Sequence, residues 1–106
     1  MTDMGYCIIM TTFASAEQAE PIVSALLERR LAACIQRIAI SSSYVWEGKV
    51  QNDPELLILI KTRDELFREV KETIEKLHPY DTPEVVKVPI DAGSASYLAW
   101  IDEVTG

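Results

Sequence analysis

Residues 33 to 47 read ACIQRIAISSSYVWE, fifteen positions rich in β-formers with neither proline nor glycine among them. Fully extended, such a stretch spans ~50 Å at ~3.3 Å per residue. A globule of 106 residues is only ~35 Å across, judged from a radius of gyration of ~13 Å. The strand must therefore bend, with Ser41, Ser42 and Ser43 as the place for it, or project beyond its own body. A projecting hairpin has unpaired edges, and these invite pairing with another chain. The length alone predicts an oligomer.

The rest of the chain alternates around this element. YCIIMTTF, Tyr6 to Phe13, is an apolar run read as a buried strand. Ser15 and Gln18 then form a capping box. The helix it opens has Ala19, Ile22, Val23, Leu26 and Leu27 on one stripe. Pro21 lies past the first turn and costs a backbone bond, which predicts a kink or a late helix start. The long strand closes at Gly48, and QNDPE (51–55) reads as the turn that returns the chain. LLILI (56–60) is continuously apolar, as a strand covered on both faces would be. Thr62 and Glu65 repeat the capping box, ahead of a helix burying Leu66, Phe67, Val70, Ile74 and Leu77. His78-Pro79 ends it, because a residue before proline avoids the helical region. EVVKVPI is a last strand, and its Lys87 and Pro89 suit an exposed edge. Ser94 caps a short helix with Tyr97, Leu98, Ile101 and Val104 inward.

The order β-α-β, β-α-β, α interleaves most simply as one domain over residues 1–106. The class is α+β, a ferredoxin-like βαββαβ sandwich with an additional C-terminal helix. A parallel, flavodoxin-like sheet fits less well, because the tight turn favours a hairpin.

Charge narrows the partners. Seventeen acids against ten bases give a net charge of −7, which repels nucleic acid and anionic membrane and attracts cations diffusely. Two cysteines, Cys7 and Cys34, sit in apolar runs and form neither a CxxC pair nor a disulfide framework. They read as buried thiols in a reducing compartment. MTDMGY lacks the basic head and apolar run of a signal peptide, and no stretch approaches the ~20 apolar residues of a membrane span. The expected location is the cytoplasm.

Chemistry has few candidates. His78, the one histidine, has two roles open to it. It can end a helix, where imidazolium meets the C-terminal dipole, or ligate a metal with Glu84 and Asp81 across the turn. A stable zinc or copper site wants three or four protein ligands, so a strong one needs help from cysteine or a neighbouring chain. The apolar neighbours of Cys7 and Cys34 make inert core thiols of them. Tyr44 and Trp46, two apart on a strand, project from one face and either pack or line a pocket. Lys61, directly after LLILI, needs a carboxylate, an anionic ligand or a place at the rim. Tyr80, Tyr97 and Trp100 complete an aromatic set. No nucleophile has an evident base and orienter, so an enzyme is not expected.

RLAAC (30–34), SSYVWEGKV (42–50), ELLILIKT (55–62), HPYDTPEVV (78–86) and YLAWI (97–101) together resemble the CutA divalent-cation tolerance family, in order and spacing over nearly the whole chain. The resemblance implies a tight homotrimer with strands paired across subunits, and a cytoplasmic role linked to copper and other divalent ions. The trimer is similar to that of PII nitrogen-signalling proteins, which implies a sensor or adaptor rather than a catalyst. The family's metal ligands are a cysteine at the end of the first strand, the histidine of HPY and the glutamate of the following PE. Here these are His78 and Glu84, with the cysteine position falling on Thr11. A hydroxyl is a poor ligand for a soft cation, so the pair would hold copper or zinc only loosely. Two functions stand side by side. One is a trimeric metal-responsive or small-ligand sensor whose intersubunit cleft is lined by Tyr44, Trp46, Lys61, His78, Tyr80, Glu84 and Trp100. The other is an interaction module whose motifs serve trimer assembly.

Overall fold

A computed structural model describes residues 5–106. The elements are β1 (Tyr6–Phe13), α1 (Ala16–Glu28), β2 (Cys34–Trp46), β3 (Lys49–Arg63), α2 (Phe67–Leu77, after a 3-10 turn at Asp64–Leu66), β4 (Val86–Ile90) and α3 (Ala95–Thr105). The four strands form one antiparallel sheet in the order β2-β3-β1-β4. That is the ferredoxin-like arrangement, with β4 and its Lys87 and Pro89 at one edge.

Alternation along the strands assigns the two faces. Cys7, Ile9, Thr11 and Phe13 of β1 and Ile58, Ile60 and Thr62 of β3 are all fully buried. They meet Ala19, Ile22 and Leu26 of α1 and Val70 and Ile74 of α2 in one core. The intervening residues face the other way, where α3 docks by side-chain bonds. The Tyr6 phenol donates to Asp102 at 2.6 Å, and Arg63 donates to the Thr105 hydroxyl and carbonyl, both at 2.8 Å. Beyond α3 this second face is apolar and, among the described residues, uncovered: Ile38, Val86 and Val88 are 45%, 47% and 40% exposed. Ile8, Met10, Leu57 and Leu59 beside them are half-buried.

The long strand resolves by projection. Thirteen pairs run in unbroken register from Cys34↔Lys61 to Trp46↔Lys49, with no bulge at the serines. β1 stops at Phe13, opposite Leu56. Past that point the hairpin continues as a two-stranded arm, and the molecule measures 44 × 26 × 25 Å. Its turn is Glu47–Gly48, not QNDPE. Both residues have positive φ, 52° and 77°, the pattern of a two-residue I′ turn. QNDPE lies inside β3. Pro54 is tolerated there because, among the described residues, β2 is the one strand beside it, so its missing N–H interrupts no second ladder.

Other expectations need correction. The Ser15 hydroxyl caps Gln18 N–H at 3.4 Å, but Gln18 Oε1 accepts from Ala14, one residue ahead of the ordinary box. α1 begins at Ala16 and continues through Pro21, so no late start occurs. Pro21 and Glu17, whose carbonyl loses its partner, are both exposed, and water can replace the bond. The second capping box does not form: Thr62 ends inside the sheet, and its buried hydroxyl donates to the Leu31 carbonyl at 2.7 Å. Leu27, Leu77 and Tyr97, expected inward, are exposed. α2 does end at Leu77, with His78 extended before the proline (φ −73°, ψ 137°).

Candidate functional site

The proline that stops α2 also aims His78. The backbone N–H of His78 still closes the last turn on the Ile74 carbonyl at 2.8 Å, while the extended backbone turns the ring into the body. The ring is buried and lies flat against Phe13, with centroids 4.4 Å apart and planes 11° from parallel. Nε2 sits 2.8 Å from the Thr12 carbonyl, and Nδ1 is 3.1 Å from the Tyr80 N–H. A carbonyl only accepts and an amide only donates, so the two bonds select the tautomer with hydrogen on Nε2. Burial pushes the imidazole pKa down; the Thr12 bond and the Glu55 charge oppose that less strongly.

Tyr80 carries the position onward. Its phenol donates to Glu55 at 3.0 Å, and burial together with that bond raises its pKa to about 12. On the arm, Tyr44 donates to Asp53 at 2.6 Å, which raises its pKa as well. Asp53 and Tyr44 also add to the electrostatic field at Tyr80. His78, Tyr80 and Glu55 thus form one chain of contacts at the arm's root, and the Tyr44–Asp53 pair stands close enough to be felt electrostatically at Tyr80.

This geometry bears on the metal set. The Nδ1 lone pair is occupied by an amide and Nε2 points its hydrogen at a carbonyl, so a metal would have to break one of these bonds. Glu84 and Asp81 are exposed. Thr11 is fully buried on the helix-facing side of the sheet, and its hydroxyl lacks a partner there. Among the described residues no three of His, Cys, Asp and Glu gather into a group that could hold a metal ion. The donors of one chain, as arranged, do not fit a resident transition-metal centre.

The remaining cleft residues lie elsewhere. Lys61 reaches over the Tyr97 ring, 5.6 Å from its centroid, and Tyr97 lies 5.6 Å from Trp100. Expected to find a carboxylate, an anionic ligand or a place at the rim, the lysine meets a π face. Cys34, half-buried, is opposite Lys61 in the sheet. Six steps along β3 separate Lys61 from Glu55, ~20 Å at ~3.3 Å each, and Trp46 is at the arm's far end. The seven expected lining residues therefore fall in separate patches of one chain. Sequence reasoning missed Asp53 and Glu55 because QNDPE read as a turn. Had Glu47–Gly48 been taken instead, the two-residue register would have set Asp53 beside Tyr44.

The CutA1 divalent ion tolerance protein family matches residues 7–104 of this chain. The divalent-cation tolerance protein CutA of Thermus thermophilus is 44% identical over 100 residues, covering 93% of this chain and 97% of the relative. That of Pyrococcus horikoshii is 42% identical over 98 residues, covering 92% and 96%. Among solved structures, the periplasmic divalent cation tolerance protein CutA of Archaeoglobus fulgidus superposes with a TM-score of 0.92. It shares 40% identity and covers 95% of this chain and 99% of its own.

Proposed function

The chain belongs to the CutA1 divalent ion tolerance family, and from that membership we propose that it works as a homotrimer in the cytoplasm. What it senses, a divalent cation such as copper or zinc or a small ligand, is taken at the seams between copies in the manner of PII-type adaptors. It is not a catalyst. One observation carries the assembly: the sheet face opposite α1 and α2 is apolar and, among the described residues, uncovered outside α3. Burying such a surface is worth roughly 25 cal/mol per Å², and an arm beyond the body supplies strand edges to neighbouring copies. In such an assembly the Tyr44 and Trp46 patch of one copy meets the Lys61, Tyr97 and Trp100 patch of another, so the cleft that one chain leaves divided is completed between two. The sparing use of cysteine supports a cytoplasmic place.

The second reading, an interaction module without a metal site, is favoured by the full engagement of the His78 ring. Light scattering of the pure protein beside Ile38→Glu tests the assembly. We expect three chain masses for the parent and one for the variant, since a charge in an apolar seam is strongly unfavourable. A parent that scatters as one chain at micromolar concentration overturns the trimer. Copper and zinc titrations of the assembled parent then separate the two readings. Saturable binding supports the sensor, and none supports the module.

A further inference from the structure

The arm has a mechanical weakness. From Ile40 to Trp46 and from Lys49 to Glu55 it is a two-stranded ribbon, because β1 ends opposite Leu56. Two-stranded ribbons are marginal and twist freely. Among the described residues, the side-chain hydrogen bond that reaches this ribbon from outside the hairpin is the one from Tyr80 to Glu55. Tyr80 in turn is placed by the ring of His78, which accepts from the Tyr80 N–H while its other nitrogen and its flat face hold the last residues of β1, Thr12 and Phe13.

We propose that the His78–Tyr80 segment is a latch that sets the direction of the arm: His78 seats the loop on the end of β1, and Tyr80 transmits that seat to Glu55 at the arm's root. His78 is then a positioning residue, and its two nitrogens serve the loop rather than a cation. The Nδ1 bond to the amide two residues on has the form of an Asx turn, in which a side-chain acceptor holds the N–H of residue i+2. This identifies the conservative replacement. Asparagine carries an oxygen where histidine has Nδ1; glutamine keeps only a donor toward Thr12. The consequence for assembly, that a fixed arm meets a second copy in one orientation, rests on the trimer reading; the latch itself does not.

The test is residue-resolved hydrogen exchange on the full chain, with the parent, His78→Ala, His78→Asn, His78→Gln and Tyr80→Phe compared. His78→Ala should speed exchange of the Tyr80 N–H at least ten-fold and loosen the β3 amides around Glu55. His78→Asn should restore most of the Tyr80 protection, and His78→Gln should not. Tyr80→Phe should loosen the arm's root while leaving the ring seated on Thr12. Should His78→Ala not fold, the asparagine, glutamine and phenylalanine variants decide alone. The latch is overturned if exchange at Tyr80 and around Glu55 does not depend on residue 78. Saturable copper or zinc binding that disappears in His78→Asn would overturn the reading that the two nitrogens serve the loop rather than a cation. A parent that runs as one chain fails the assembly reading, and the exchange data still judge the latch.

Discussion

β3 passes through two environments without changing partner. At its C-terminal end Ile58 and Ile60 are fully buried between β1 and β2 and under two helices; at its N-terminal end Val50 stands 71% exposed opposite an equally exposed Val45. Its register with β2 is unbroken throughout. What differs is the third strand and the helices above it. The body is held by side-chain burial, about 1.5–3 kcal/mol for each large aliphatic residue, while the arm has ladder bonds and little else. Cross-strand pairs such as Val45–Val50 add ~0.2–1 kcal/mol, too little to stabilise a ribbon alone. An arm of this length needs an anchor at its root and cover along its length to hold one direction.

Substitution should separate the two ends by a wide margin. Ile60→Ala leaves a cavity in the body and should cost ~2–5 kcal/mol in urea unfolding, at every protein concentration. Val45→Ala should cost under ~0.5 kcal/mol where copies are dissociated. It should cost more as concentration rises, because binding that covers the valine is linked to folding. Equal losses from the two substitutions in dilute solution would abolish the distinction between body and arm.

Acid should act at the junction of the two. Burial holds the His78 imidazole neutral, below its ordinary pKa of 6.5, between Phe13 and Tyr80 with the Glu55 carboxylate nearby. The unfolded chain therefore binds a proton more readily than the folded one, and the neutral ring's stabilisation is complete above pH 6.5. It is lost as pH falls through the depressed folded value. Urea midpoints taken from pH 7.5 to 5 should decline for the parent, and the gap between parent and His78→Gln should narrow over that window. A gap that widens toward acid would mean the ring is charged in the fold.

How much of this was legible depends on how local the cause is. YCIIMTTF announced β1 to the residue, because an apolar run between Gly5 and Ser15 has few other fates. The end of α2 was equally clear, since His78 before Pro79 is a steric statement about one dihedral. The Ser15 cap and the edge character of β4 were local too. Thr62 failed as a cap because its hydroxyl answers to Leu31, 31 residues away. The partners of His78 were hidden in the same way, with Thr12 lying 66 residues before it. Leu27, Leu77 and Tyr97 carry helical periodicity and face outward nonetheless, because period tells which residues share a face and not where cover ends. The strand length did predict something that must project or bend, and the unbroken register chose projection.

The turn at the arm's tip is the smallest lever on the same comparison. Glu47 holds φ 52°, a left-handed conformation that costs a residue with a β-carbon ~1–2 kcal/mol and asparagine less. The preferred I′ pair is Asn-Gly, and Glu-Gly hid the turn for that reason while QNDP offered better turn residues in the wrong place. Glu47→Asn should therefore stabilise the tip by ~0.5–1 kcal/mol. Because the ribbon opens locally before the body does, the gain belongs to the arm alone. Amide exchange at Trp46 and Lys49 should slow by ~2- to 5-fold, as RT ≈ 0.59 kcal/mol dictates, while the global urea midpoint barely moves. A midpoint that rises by the full amount would mean tip and body unfold as one unit, and the arm would then be a continuation of the core in energy as well as in register.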